Sequence, residues 1–164
     1  MIRSDSITRE LLYLFLAAAV AIMPAVTMAA QVVQNDEPPV KLSARYHIES
    51  GTNRGFLIVK VDVPAGNHIY SLNQPEPLIP TQLSVKTSDQ FNAEKKFKAD
   101  KKPKVVEKDP LFNARLEKHA GTVQFYVPVT VTTQSDLKQL QPRVQFSGQM
   151  CSDQGYCVPI NNLE

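Results

Sequence analysis

The stretch "GTVQFYVPVTVTT", residues 121–133, puts Val123, Phe125, Val127, Val129 and Val131 at every second position. Strict apolar alternation marks a half-buried β-strand, because successive side chains of a strand point to opposite faces. Pro128 falls on the other face and has no N–H to give to a neighbour. One side of this strand is therefore expected to be an edge or to carry a bulge.

The same period recurs on both sides of this strand. In "VKLSARYHI", residues 40–48, Val40, Leu42, Ala44, Tyr46 and Ile48 share a face. In "FLIVKVDV", residues 56–63, Leu57, Val59, Val61 and Val63 alternate with Lys60 and Asp62. "SGTNRG" (50–55) and "PAGN" (64–67) have turn composition. "HIYSL" (68–72), "TQLSVKTS" (81–88) and "PRVQFSGQ" (142–149) read as shorter strands. "NQPEPLIP" (73–80), with three prolines, reads as a loop, and "SDLKQL" (135–140) as a helical turn or loop. No helix longer than about two turns is expected. Several short strands separated by turns predict an all-β fold, an antiparallel β-sandwich.

The N-terminus has a different character. Arg3 and Arg9 precede the apolar run "LLYLFLAAAVAIM", which Pro24 ends, and "TMAA" follows with small residues. This predicts a signal peptide over 1–29, too short in its apolar part for a comfortable membrane span. A polar, flexible leader is expected over 30–39 and one β-domain over 40–164. The net charge of +2 is too mild to argue for a nucleic-acid partner. "EKKFKADKKPK", residues 94–104, holds six lysines. It reads as a solvated sheet edge, with a docking patch for an acidic partner as the alternative.

The chemistry sits in "GQMCSDQGYCVPI", residues 148–160, which holds the chain's two cysteines, Cys151 and Cys157. Export would place them in an oxidising compartment that permits a disulfide. Asp153 and Gly155 suit a tight turn between them. A staple over so short a loop contributes only about 2 kcal/mol on the chain-entropy model, which leans toward a redox role. A non-catalytic module with a structural disulfide stays open. So does a copper site built from Met150, Cys151 and Cys157. The Cys-x5-Cys spacing is not that of a zinc knuckle and no second Cys or His pair follows it, so His47, His68 and His119 read as surface or hydrogen-bonded residues; no nucleophile-elbow serine motif is present, and no cofactor motif is seen.

The cysteine stretch resembles the active-site hairpin of the N-terminal periplasmic domain of the thiol:disulfide interchange protein DsbD. Cys151, Asp153, Gly155, Tyr156, Cys157 and Pro159 carry the likeness. "PAGNHIYS" resembles the family's pocket segment through His68 and Tyr70, and "EKDPLFN" resembles its cap loop. The resemblance implies an immunoglobulin-like sandwich whose cysteine pair shuttles between dithiol and disulfide. It implies Cys157 as the sulfur that meets partners and Cys151 as its resolving partner. Asp109, Pro110, Leu111 and Phe112 would form a cap, with Asp109 near the thiols. His68, Tyr70 and Tyr156 would line the pocket beneath. The implied partners are thioredoxin-like redox proteins and a separate membrane electron-transfer protein, since this chain has no Cys-x-x-Cys of its own. Asn113 stands where the family has glycine and is expected to accept a left-handed backbone. Seven residues follow Cys157, so a short final strand is expected.

Overall fold

A computed structural model of the chain describes residues 39–88, 90–132 and 141–164. The expected signal peptide, nearly all of the expected leader and the 135–140 segment lie outside the described residues. Among the described residues no helix is long and apolar enough to cross a membrane.

The described residues build two antiparallel sheets. The first contains β1 (Lys41–Ile48), β2 (Arg54–Asp62), β9 (Thr122–Val131) and β5 (Phe91–Ala93) in that order, with β6 (Lys98–Ala99) also on β9. The second runs β11 (Cys157–Leu163), β10 (Val144–Ser152), β3 (Asn67–Tyr70), β8 (Leu116–His119) and β7 (Lys104–Val106), with β4 (Gln82–Val85) also on β10. This is the expected immunoglobulin-like antiparallel β-sandwich.

Leu57, Val59 and Val61 of β2 and Val123, Phe125 and Val127 of β9 have no exposed surface. They form one cluster with Ile69, Val144, Phe146 and Ile160 of the second sheet. Each fully buried side chain of this size is worth about 1.5–3 kcal/mol over leaving it in water. Their sum far exceeds the ~2 kcal/mol of one short-loop disulfide. The contact between the two sheets therefore rests on this core.

The Pro128 expectation has a specific outcome. β9 pairs along its whole length with β2, including Phe56 opposite Pro128. Its other side is shared: β5 pairs with residues 129–131 and β6 with 125–126. The Glu94 N–H donates to the Pro128 carbonyl at 3.0 Å. A strand residue's N–H and C=O point to the same side, so the missing N–H of Pro128 faces the break between β5 and β6. The proline costs no ladder bond there.

The lysine-rich stretch does lie at sheet margins. β6 pairs only part of β9, and β7 is the outer strand of the second sheet. Residues 100–103 cross from one sheet to the other. The last strand, β11, has seven residues and pairs with β10 between Cys157 and Leu163, with a register shift between Phe146 and Gly148.

Candidate active site

The second sheet has two working faces. Ile69, Val144, Phe146, Met150 and Ile160 belong to the sandwich core. One residue out of phase, Tyr70, Cys151 and Leu116 form a separate buried cluster with Leu78, against which Val106, Phe112 and Cys157 pack. Period-two alternation in β3, β8 and β10 thus builds a second, smaller core on the outside of the sandwich.

Cys151 and Cys157 are cross-strand partners in the β10–β11 hairpin and form a disulfide, with Cα atoms 4.0 Å apart. The turn between them closes through the Gly155 N–H, which donates to the Ser152 carbonyl at 3.0 Å, and the Ser152 N–H, which donates to Tyr156 O at 2.8 Å. Gly155 has φ 90, the left-handed step that a three-residue hairpin loop requires. The two sulfurs are unequal. Cys151 has no exposed surface, whereas Cys157 is half-buried.

The buried sulfur has polar company. The Tyr70 hydroxyl lies 3.4 Å from Cys151 Sγ, and Gln149 Nε2 lies 3.7 Å from it. Burial pushes the Tyr70 hydroxyl above its ordinary range, against the opposing effect of a Gln149 hydrogen bond. His68 is the strand partner of Cys151 on the other side of β10. It is buried, edge-on to Tyr70 with ring centroids 5.4 Å apart, and its Nδ1 lies 3.4 Å from Asp153 Oδ1. Burial, then Lys118, pushes the imidazole below its usual range, and the pull of Asp153 and Asp109 does not restore it.

The segment expected to form a cap is the loop between β7 and β8. Asp109 organises it as an Asx turn: its Oδ1 accepts from the N–H groups of Leu111 at 3.0 Å and Phe112 at 3.3 Å. The Asn113 N–H donates to Asp109 O at 2.8 Å, and the Asp109 N–H donates to Ala114 O at 2.9 Å. Asn113 takes φ 50, the left-handed conformation expected of it. Burial raises the Asp109 carboxyl, but the Leu111 and Phe112 N–H groups and Lys118, 3.5 Å away, outweigh this and hold it below the usual carboxylate range. Asp109 thus spends its hydrogen bonds on the backbone of its own loop and on Lys118, and Pro110 is exposed at its turn. Phe112 packs on the cluster that holds both cysteines, while Leu111 is 62% exposed and reaches over the hairpin to Gly155.

Tyr156 departs from its expected place in the pocket. It pairs with Ser152, out of phase with the cysteines, and is 74% exposed. Met150 also departs from the copper set. It pairs with Ile69 and Val158 and packs on the sandwich core, on the face opposite Cys151. His47 lies exposed on β1 and His119 faces Phe125 inside the sandwich, so neither reaches the sulfurs. Among the described residues no group of three metal-ligating side chains forms.

Two participants were not singled out from sequence. Gln149 alternates with Cys151 on β10, which period two alone could have flagged. Gln74 lies in the proline-rich loop. Its Nε2 donates to Arg115 O at 2.8 Å and its Oε1 accepts from the Glu117 N–H at 2.7 Å. It ties that loop, which delivers Leu78, to the end of the cap. A buried bridging amide leaves no sequence pattern.

No family model matches the sequence, and no curated protein matches it. Among solved structures, the N-terminal periplasmic domain of ScsB from Proteus mirabilis superposes with a TM-score of 0.52 at 13% identity. The match covers 79% of this chain and 47% of that one, so this chain spans about half the length of that neighbour. The N-terminal domain of DsbD from Neisseria meningitidis, in its reduced form, matches with a TM-score of 0.37 at 13% identity, over 73% of this chain and 79% of that one. At this identity the likeness to ScsB is one of fold: this chain is built on the sandwich of the ScsB N-terminal periplasmic domain.

Proposed function

We propose that this is an exported thiol–disulfide exchange domain that works through Cys151 and Cys157. The observation that carries the reading is the asymmetry of the disulfide: one sulfur sealed beside a hydroxyl donor, the other reachable at the rim of an apolar cap. Thiol–disulfide exchange needs an attacking thiolate in line with one particular sulfur, and limited access selects which.

A donor thiolate attacks Cys157 Sγ, forming a donor–Cys157 mixed disulfide. The Cys151–Cys157 bond breaks and Cys151 leaves with the electron pair. The donor's second thiol, as thiolate, then attacks the donor sulfur of the mixed disulfide and releases Cys157. The domain has gained two electrons and, on protonation, two protons, and the donor has become a disulfide. Running the steps in reverse, the Cys157 thiolate attacks an acceptor disulfide and Cys151 resolves it. Tyr70, holding its proton, stabilises Cys151 as it leaves. Phe112 and Leu111 cover the pair between encounters, and Asp109 keeps the cap folded. The donor on this reading is a thioredoxin-like protein served by a separate membrane electron-transfer protein. The acceptors are exported thiol proteins of the disulfide isomerase or cytochrome c maturation type.

The test is trapping. Cys151→Ala leaves Cys157 without its resolving partner, so mixing it with an oxidised thioredoxin-like protein should accumulate a mixed disulfide on a non-reducing gel. Cys157→Ala should not. Trapping by Cys157→Ala alone would reverse the roles, and trapping by neither would leave the cysteines as a staple in a non-catalytic binding module.

A further inference from the structure

His68 is placed to do more than line the pocket. It faces Cys151 across the β3–β10 pair, and directly opposed strand residues hold their Cβ atoms roughly 4.5–5.5 Å apart. The imidazole is buried, and neither ring nitrogen has a well-formed hydrogen bond; the 3.4 Å approach of Asp153 Oδ1 to Nδ1 is long. Buried polar atoms are nearly always satisfied, and an exception beside a redox centre calls for a reason.

Exchange supplies one. When Cys157 is attacked, Cys151 departs as a thiolate in a site with no exposed surface. A buried charge needs a partner. The groups facing this spot are Tyr70 on β3, Lys118 on β8, Asp109 in the cap, Asp153 in the hairpin turn and Gln149 on β10. Tyr70 and Gln149 can donate hydrogen bonds but stay neutral. Lys118 sits 3.5 Å from the Asp109 carboxylate and is matched by it. His68 is the side chain among these that can go from neutral to charged near neutral pH. Asp153, 74% exposed at the turn, connects its Nδ1 side to solvent.

We infer that His68 is the charge partner of Cys151: it takes up a proton as the buried thiolate forms and holds it as a thiolate–imidazolium pair, with Asp153 positioning the ring. In the balance, the incoming thiolate and the disulfide consume one solvent proton. They yield the mixed disulfide on Cys157, the Cys151 thiolate and the His68 imidazolium. His68 is neutral beside the intact disulfide and charged once it opens. The burial that depresses its basicity in the oxidised form is offset by the new negative charge.

This inference rests on the exchange reading, and its test separates the two. In Cys157→Ser protein Cys151 is the sole thiol, and its thiolate is followed by absorbance near 240 nm from pH 4 to 10. Adding His68→Gln should move the onset of thiolate absorbance upward by at least one pH unit, a tenfold change. Asp153→Asn, at an exposed position that leaves the core intact, should move it the same way by less. In the parent disulfide protein, His68→Gln should also lower the equilibrium fraction reduced by dithiothreitol severalfold at pH 7. An unmoved thiolate titration in both variants overturns the role of His68, even where Cys151→Ala still traps a partner. Failure to trap, with the titration shifted, removes the exchange reading and leaves the pair as a local property of the hairpin.

Discussion

The Tyr70 hydroxyl meets Cys151 Sγ at 3.4 Å between two side chains that have no exposed surface. They are 81 residues apart in sequence, brought together because β3 and β10 are neighbours in one sheet. Sulfur in a disulfide is a weak acceptor, so the contact gives little while the bond is intact. It strengthens when Cys151 becomes a thiolate, because hydrogen bonds to charged acceptors are about twice as strong as neutral ones.

Tyr70→Phe should therefore separate stability from reactivity. Loss of one hydrogen bond costs about 0.5–1.5 kcal/mol, and the ring still fills its place. Urea unfolding of the oxidised protein should show a loss at the low end of that range. The rate of reduction by dithiothreitol should fall about five- to tenfold. A fall in stability with no change in rate would show the hydroxyl to be a packing feature only.

Leu111 and Gly155 give the second prediction. A Cβ built on Gly155 would stand 2.9 Å from Leu111 Cδ1, and Gly155 has φ 90. The side-chain tip can swing away, but the backbone conformation cannot relax so easily. Gly155→Ala should cost about 1–2 kcal/mol from the left-handed geometry. Pairing it with Leu111→Ala should not recover that loss. Leu111→Ala alone, at an exposed position, should change stability by less than about 0.5 kcal/mol. On the exchange reading it should nonetheless speed reduction by a small thiol severalfold, because Leu111 reaches over Gly155, whose carbonyl lies 3.9 Å from Cys157 Sγ. Full recovery in the double variant would mean that the cap contact, and not the backbone, carries the cost.

Much of the sandwich was legible because one face of its long strands is wet. β1, β2 and β9 alternate cleanly, so Leu57, Val59, Val123 and Phe125 announce the core. β8 does not, because the cap covers its outer face: Leu116 is buried outward and His119 inward, which erases the period. β5, β6 and β7 are two or three residues long and owe their pairing to β9 and β8. At the site, the cysteines could be found by type and spacing along the chain, whereas the 109–112 segment is singled out only through the family resemblance. Tyr156 and Met150 each stand next to a cysteine in sequence, and strand alternation alone turns them to the opposite face; the resemblance and the ligand chemistry single them out by residue type.

His119 gives the last prediction, and it concerns acid. It lies inside the sandwich, edge-on to Phe125 with ring centroids 5.9 Å apart, and its Nδ1 has no hydrogen-bond partner. Burial, then Lys101, lowers its basicity below the ordinary imidazole value, while Asp100 and Glu117 oppose this without prevailing. In the unfolded chain the same group titrates near pH 6.5. Between that value and the lower folded value, the unfolded state binds more protons, so stability falls as pH falls. The contribution is complete above about pH 6.5 and is lost progressively on acidification through that window. His119→Leu removes the titrating group and the unsatisfied nitrogen while keeping an apolar side chain in the core. Its stability at pH 7 should lie within about 1–2 kcal/mol of the parent. Its loss between pH 7 and pH 5 should be smaller than the parent's. Some acid loss should remain, because His68 is depressed by burial in the same direction. Urea unfolding at the two pH values decides it: an equal loss in parent and variant would mean that His119 takes up protons equally in the folded and unfolded states across the window and contributes nothing to acid sensitivity.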